Sequence, residues 1–182
     1  MNSPPPNERV YIDTNVFLYL FKATYRPDLT RKASGFLRKV EAGQYDGVLS
    51  TVVLLELVKT IRQVTVEFDR ITKPAVWEKD VQKAISWIYS LKNVKFIEGA
   101  EPLSSSLGYR LLAEDSLKTL LSFPGTHKYN DTFDPRHDGL SPIDAMHLEL
   151  AKKSGCSCIA TFDSDFTESD GYVPVLNLNR SS

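Results

Sequence analysis

Four acids stand where a carboxylate can do chemistry. Asp13 follows the apolar triplet Val10-Tyr11-Ile12 and opens Asp13-Thr14-Asn15. Glu56 interrupts the apolar run Val52-Val53-Leu54-Leu55-Glu56-Leu57-Val58, and Asp144 lies three residues after Ser141. Asp163 comes just after Cys158-Ile159-Ala160-Thr161, within Phe162-Asp163-Ser164-Asp165-Phe166. Carboxylates brought together repel and raise one another's pKa unless a cation neutralises them. Oxygen donors without paired His or Cys select a hard ion, so the chemistry these four imply, if they meet, is that of Mg2+ or Mn2+.

Each acid also has an ordinary structural explanation. Asp13 or Thr14 fits a cap on the first helix, and Asp163 or Asp165 a cap on a last short one. Ser141-Pro142-Ile143-Asp144 reads as a capping box with proline at the first helical position. Glu56 falls on a polar helical stripe with Lys59, Thr60 and Gln63. A helix cap or a solvated stripe accounts for one acid at a time, whereas convergence on one edge requires a fold that gathers all four.

The elements that must do so are legible as short apolar runs alternating with helical patterns. Strands are expected at Val10–Ile12, Asp46–Ser50, Val94–Ile97, Cys158–Thr161 and Val173–Leu176. Helices are expected at Asn15–Phe21, Leu29–Glu41, Val52–Val64, from Pro74 through Ile88, at Ser104–Leu121, and from Ser141 to a stop at Gly155. Short strands separated by helices pair in parallel through right-handed crossovers, giving a three-layer α/β/α sandwich around a central parallel sheet. In such folds ligands bind beyond the carboxyl ends of the strands, where strand order reverses. With the sheet parallel, all four acids are expected to converge on that one edge.

The chain has 182 residues, 42% hydrophobic and 25% charged, which fits one globular domain over residues 9–182 behind a disordered, proline-rich tail at 1–8. A longer loop region is expected around residues 101–140, where Phe123 to Leu140 carries His127, Asp131, Asp134, His137 and Asp138 without a zinc-ligand spacing. The longest apolar stretch, Val16 to Phe21, is far too short to span a bilayer, and no charged-then-apolar leader opens the chain. A cytoplasmic protein without a membrane partner is the expectation. Cys156 and Cys158 read as reduced core thiols. Net charge is −1, but residues 1–99 carry +4 and residues 100–182 carry −5. Lys22, Arg26, Arg31, Lys32, Arg38 and Lys39 face a single acid, Asp28. On a helix, Arg31 and Lys32 share a side with Arg38 and Lys39 one heptad later, which makes these four a candidate basic stripe beside an acidic edge.

In this order, the motifs resemble those of the PIN-domain nucleases: a strand ending in Asp13-Thr14-Asn15, then Glu56 on an apolar helix. Asp144-Ala145-Met146-His147-Leu148-Glu149-Leu150-Ala151 and Thr161-Phe162-Asp163-Ser164-Asp165-Phe166 follow. The resemblance spans residues 9 to about 178. It implies an α/β/α sandwich and metal-dependent endonucleolytic cleavage of RNA, with 5'-phosphate and 3'-hydroxyl products. It makes Asp13, Glu56, Asp144 and Asp163 the catalytic, cation-holding acids. Thr14, Asn15, Thr161 and Asp165 become supporting residues that orient carboxylates or waters from behind, with Asn15 holding its turn through side-chain to backbone bonds. His147, one helical turn past Asp144, is expected to make a structural hydrogen bond. The implied partners are an RNA substrate, a cognate antitoxin of the kind that neutralises toxin members, and a second copy of the chain. The longer interval between Ile97 and Asp144 departs from the compact toxins.

Two other classes compete. One is a catalytically inactive PIN-like RNA-binding or scaffold protein that keeps the acids. The other is an Asp-based phosphoryl-transfer protein of the haloacid-dehalogenase or receiver type, against which the first strand lacks both D-x-D and an adjacent acid pair. Metal-dependent loss of a labelled RNA separates the enzyme from the first, and hydrolysis of an aryl phosphate would favour the second.

Overall fold

A computed structural model of the chain describes residues 7–21, 26–67, 74–97 and 141–179. The helix expected at Ser104–Leu121 and the loop Phe123–Leu140 lie outside the described residues. Five strands, β1 (Glu8–Ile12), β2 (Tyr45–Ser50), β3 (Val94–Ile97), β4 (Cys158–Thr161) and β5 (Val175–Asn177), form one sheet in the order β3-β2-β1-β4-β5. Every pairing is parallel. The chain steps outward from β1 to β3 on one side, then crosses to β4 on the other. Strand order therefore reverses at β1, and the crevice beyond the β1 and β4 carboxyl ends is where such sheets bind ligands.

The helices are α1 (Thr14–Phe21), α2 (Pro27–Glu41), α3 (Thr51–Glu67), α4 (Pro74–Ser90) and α5 (Pro142–Lys153), with a 3-10 turn at Asp165–Ser169. In α2, Leu29, Ala33, Phe36, Leu37 and Val40 recur at helical spacing and all are buried. Gly43 and Gly155, at φ of 75° and 65°, take the left-handed conformation that closes α2 and α5. Ser141 and Asp144 form the expected capping box. Trp87 on α4 meets Phe17 and Phe21 of α1 edge-on, with ring centroids 6.5 and 5.5 Å apart.

Strand alternation shows the three layers. Neighbours on a strand point to opposite faces. Ile12 lies with Gly47 and Val40 of α2 on one face, while Tyr11 reaches His147 of α5 on the other. The central strands are correspondingly apolar, with Val10, Tyr11, Ile12, Ile159 and Ala160 shut off from solvent. Most element boundaries shift by one to three residues from expectation, and two of the shifts bear on the sheet. β1 begins at Glu8, paired with Tyr45, so that residue belongs to the sheet. β5 begins at Val175, because Val173 instead closes the preceding turn onto Ser169 O. Cys158 is buried in β4 and Cys156 lies just before it; burial pushes their thiols up to about 12 and about 11, so neither is a ready nucleophile. Among the described residues, no helix is long and apolar enough to cross a membrane.

Gly47 is where α2 approaches the sheet most closely. A Cβ there would meet Ile12 Cδ1 and Val40 Cγ1 at 3.0 Å and Val94 Cγ2 at 3.1 Å. Gly47→Ala is expected to destabilise the fold by about 1–3 kcal/mol through overpacking, as measured by urea unfolding. An unchanged midpoint would mean that α2 can lift off the sheet at no cost.

Candidate active site

The carboxyl ends of β1 and β4 are joined by side chains. Thr161, the last residue of β4, donates its hydroxyl to Asp13 Oδ2 at 2.6 Å. The same Oγ1 accepts from Asn15 Nδ2 at 3.0 Å and from the Asp163 backbone N–H at 2.9 Å. Asp13 Oδ1 accepts the Thr14 N–H at 2.6 Å. Asn15 Oδ1 takes the Phe162 N–H at 3.1 Å. Asn15 therefore ties β1 to the segment after β4 instead of holding its own turn, as the sequence had suggested. Asp163 Oδ1 accepts the Asp165 N–H at 2.9 Å, which starts the 3-10 turn.

Glu56 enters from α3. Its Oε2 lies 3.0 Å from His147 Nε2 on α5. On the other side of the ring, His147 Nδ1 is 2.9 Å from the Tyr11 hydroxyl, which is 2.6 Å from Ser50 Oγ. Tyr11, Ser50 and His147 are completely buried. The structural hydrogen bond expected of His147 is present. Tyr11 and Ser50 were not singled out from sequence. The available signal was that Tyr11 shares a strand face with Asp13, two residues on, and that a buried hydroxyl needs a partner.

One donor atom each from Asp13, Glu56 and His147 lies within 4.8 Å of the others, a spacing that fits a cation. Both imidazole nitrogens are already engaged, however, which leaves His147 as a holder of Glu56 and the carboxylates as the ion's oxygen donors. Asp144 and Asp163 stand outside this tight group. Asp144 remains within electrostatic reach of it, acting on Asp13, and Asp163 in turn acts on Asp144. Asp144 Oδ2 accepts the Ser141 N–H at 2.6 Å in the capping box, and Oδ1 lies outside the box.

Burial and mutual charge set the protonation. Burial pushes Asp13 up to about 6, with Glu56 and Asp144 adding to the rise and His147 and the Thr161 hydroxyl opposing it. Burial likewise raises Asp144 against its capping bonds. Burial opposes charge on both Glu56 and His147, but their mutual hydrogen bond prevails, lowering Glu56 and raising His147. The Thr14 hydroxyl is buried, acts on the Glu56 carboxylate and yet has no hydrogen-bond partner of normal geometry among the described residues. An unpartnered buried donor beside carboxylates is what a bound water or a hydrated cation would satisfy.

The basic stripe is divided. Arg31, Arg38 and Lys39 are exposed on α2, with Arg38 Nε reaching back to Ser34 O at 3.4 Å. Lys32 is half-buried and its Nζ bonds to the Asn179 carbonyl.

A parallel α/β sheet with acids gathered at its switch point defines a class of proteins able to hold a divalent ion at that edge. The match of the PIN domain model over residues 10–172 makes this chain a member of the PIN domain family. Among solved structures, it is similar to FitAcB from Neisseria gonorrhoeae, at 18% identity and TM-score 0.55, over 94% of this chain and 99% of that one. It is also similar to VapBC2 from Rickettsia felis, solved bound to a DNA fragment from their promoter, at 11% identity and TM-score 0.56, over 92% and 96%. At these identities the likeness is one of fold. No curated protein matches the sequence.

Asp13 binds its proton more tightly when folded than the ordinary value of 3.8. Its contribution to stability is therefore full below about pH 4 and lost as pH rises through about 6. In EDTA, the unfolding free energy of wild type relative to Asp13→Asn is expected to fall across that window by on the order of 3 kcal/mol. Chemical denaturation at pH 4, 5, 6 and 7 measures it, and a flat difference would show that the carboxyl ionises as freely in the fold as in the unfolded chain.

Proposed function

We propose that this protein is a Mg2+- or Mn2+-dependent endoribonuclease, the toxin of a toxin–antitoxin pair, with Asp13, Glu56, Asp144 and Asp163 as its catalytic carboxylates. The observation that carries the reading is the close approach of buried Asp13 and part-buried Glu56 at the switch point, with the buried Thr14 hydroxyl beside Glu56. These four would hold the cation. When bound, such an ion makes a water nucleophilic near neutral pH and neutralises charge developing on the phosphate. The chain's own residues do the positioning. Thr161 and the Thr14 N–H fix both Asp13 oxygens, and the capping box fixes Asp144 on the first turn of α5.

An acidic edge repels RNA, so binding needs cations beside it. Arg31, Lys32, Arg38 and Lys39 on α2 are the proposed phosphate contacts, with Lys32 releasing the Asn179 carbonyl to engage RNA. Fold likeness to FitAcB and VapBC2 supports an antitoxin partner, and a short open reading frame directly upstream would support it further. A homodimer and a cytoplasmic location belong to the same proposal.

Asp13→Asn and Asp144→Asn should each lower Mn2+-dependent cleavage of labelled RNA at least tenfold, about 1.4 kcal/mol in transition-state terms, while remaining folded. Wild-type rates in both would remove the site. A protein that binds RNA but does not cut it in Mg2+ or Mn2+ would be the inactive scaffold. Saturating Mn2+ should also stabilise wild type, by about 2.7 kcal/mol at 100-fold excess over the dissociation constant. An undiminished Mn2+ shift in Asp144→Asn would assign that residue to capping alone.

For RNA contact, Arg31→Ala with Arg38→Ala in the Asp13→Asn background should weaken binding and make its salt dependence shallower, each lost phosphate contact removing about 0.7 from the log–log slope. The control is Lys79→Ala with Lys83→Ala, which removes equal charge from exposed positions on α4. Equal losses from the two pairs would mean a diffuse electrostatic effect.

A further inference from the structure

A fully buried polar chain is costly unless it is satisfied throughout, and it specifies one arrangement when it is. The chain Ser50–Tyr11–His147–Glu56 joins four elements, β2, β1, α5 and α3, in three contacts of 2.6, 2.9 and 3.0 Å. Its polarity follows from Glu56. An ionised carboxylate only accepts, so His147 must present Nε2–H to Oε2. In the neutral ring Nδ1 accepts from the Tyr11 hydroxyl, which accepts from Ser50; in the protonated ring, which the Glu56 contact favours, Nδ1–H donates to Tyr11 and Tyr11 donates to Ser50. Every group is paired. The Tyr11 and His147 rings meet at a 55° tilt with centroids 5.7 Å apart, so the imidazole is fixed by packing as well as by bonds.

Core packing alone does not call for this arrangement. Three hydroxyl or imidazole groups, those of Tyr11, Ser50 and His147, are completely shut off from solvent, and only the last link of the chain, Glu56, is part solvent-exposed, at 26%. Glu56 sits on a different element from Asp13, and no other hydrogen bond of normal geometry fixes its carboxylate among the described residues. We propose that His147 is a positioning residue for Glu56: Tyr11 orients the imidazole, and the imidazole holds the α3 carboxylate in register with Asp13 for cation binding. The inference rests on the cation centre proposed above. It adds that the centre's geometry is set from inside the sheet, by a tyrosine that touches neither the ion nor RNA.

Residues that orient ligands from behind typically change metal affinity 10–100-fold when removed. The test is Mn2+ binding by calorimetry on the full chain, which requires no catalysis. Tyr11→Phe keeps the ring and its packing and removes the hydroxyl; it should weaken Mn2+ binding about tenfold. In the Glu56→Gln background the same change should have no further effect, since the carboxylate it positions is gone. His147→Gln, which can still donate to Glu56, should bind more tightly than His147→Ala, and this comparison decides the matter if Tyr11→Phe does not fold. Leu37→Ala, a core truncation on α2, should lower the melting temperature without moving Mn2+ affinity.

Wild-type affinity in Tyr11→Phe, an equal loss in both Glu56 backgrounds, or the same loss in Leu37→Ala would overturn the positioning role while leaving the cation centre standing. Absence of Mn2+ binding in wild type, or undiminished binding in Glu56→Gln, would overturn the centre itself and this inference with it.

Discussion

Thr161 Oγ1 joins the two strands on which the site depends. It donates to Asp13 at the end of β1 and accepts from Asn15 and from the Asp163 N–H, so a single hydroxyl uses its donor and both lone pairs at the point where strand order reverses. Without it, Asp13 would lose its compensation for burial, and the turn that carries Asp163 and Asp165 would lose its anchor to the sheet. The fully buried threonine at this position is best understood as a constraint on the distance between two acids that come from opposite ends of the chain.

The electrostatics follow from that constraint. Holding Asp13 in a dry position beside Glu56 and Asp144 raises it, and the structure offsets the crowding with a hydrogen-bonded imidazole. The offset is incomplete, which separates this cluster from an ordinary ion pair. Strongly shifted acids in a crevice are where chemistry tends to occur. Here two compensations differ in kind: Asp144 is stabilised locally by its own helix cap, whereas Glu56 is stabilised across the fold by groups on three other elements.

Much of this was legible in the sequence. Periodicity locates every described strand and helix, because short apolar runs between helical patterns admit few other arrangements, and Asp13 and Asp163 stand just past strand ends in the sequence itself. The capping box was readable from Ser141 and Asp144 because it is local. The Tyr11–His147 contact was not, since its partners are 136 residues apart and nothing in a strand reading Val10-Tyr11-Ile12 says which buried hydroxyl lies opposite. Asn15 was misplaced for the same reason, its bonds crossing to β4. The division of the basic stripe was also hidden, because the half-burial of Lys32 depends on where Asn179 returns to the surface.

Sheet order carries a consequence for biosynthesis. β1 lies between β2, which follows it closely, and β4, whose residue Cys158 pairs with Val10. As the polypeptide leaves the ribosome, β1, β2 and β3 can associate early, while the slot on the other side of β1 stays open until β4 emerges. Through that interval Asp13 has no Thr161, Glu56 has no His147, and an apolar strand edge is bare. Until β4 docks, the side-chain contacts that hold the acidic edge together are therefore missing, and the bare strand is open to mispairing.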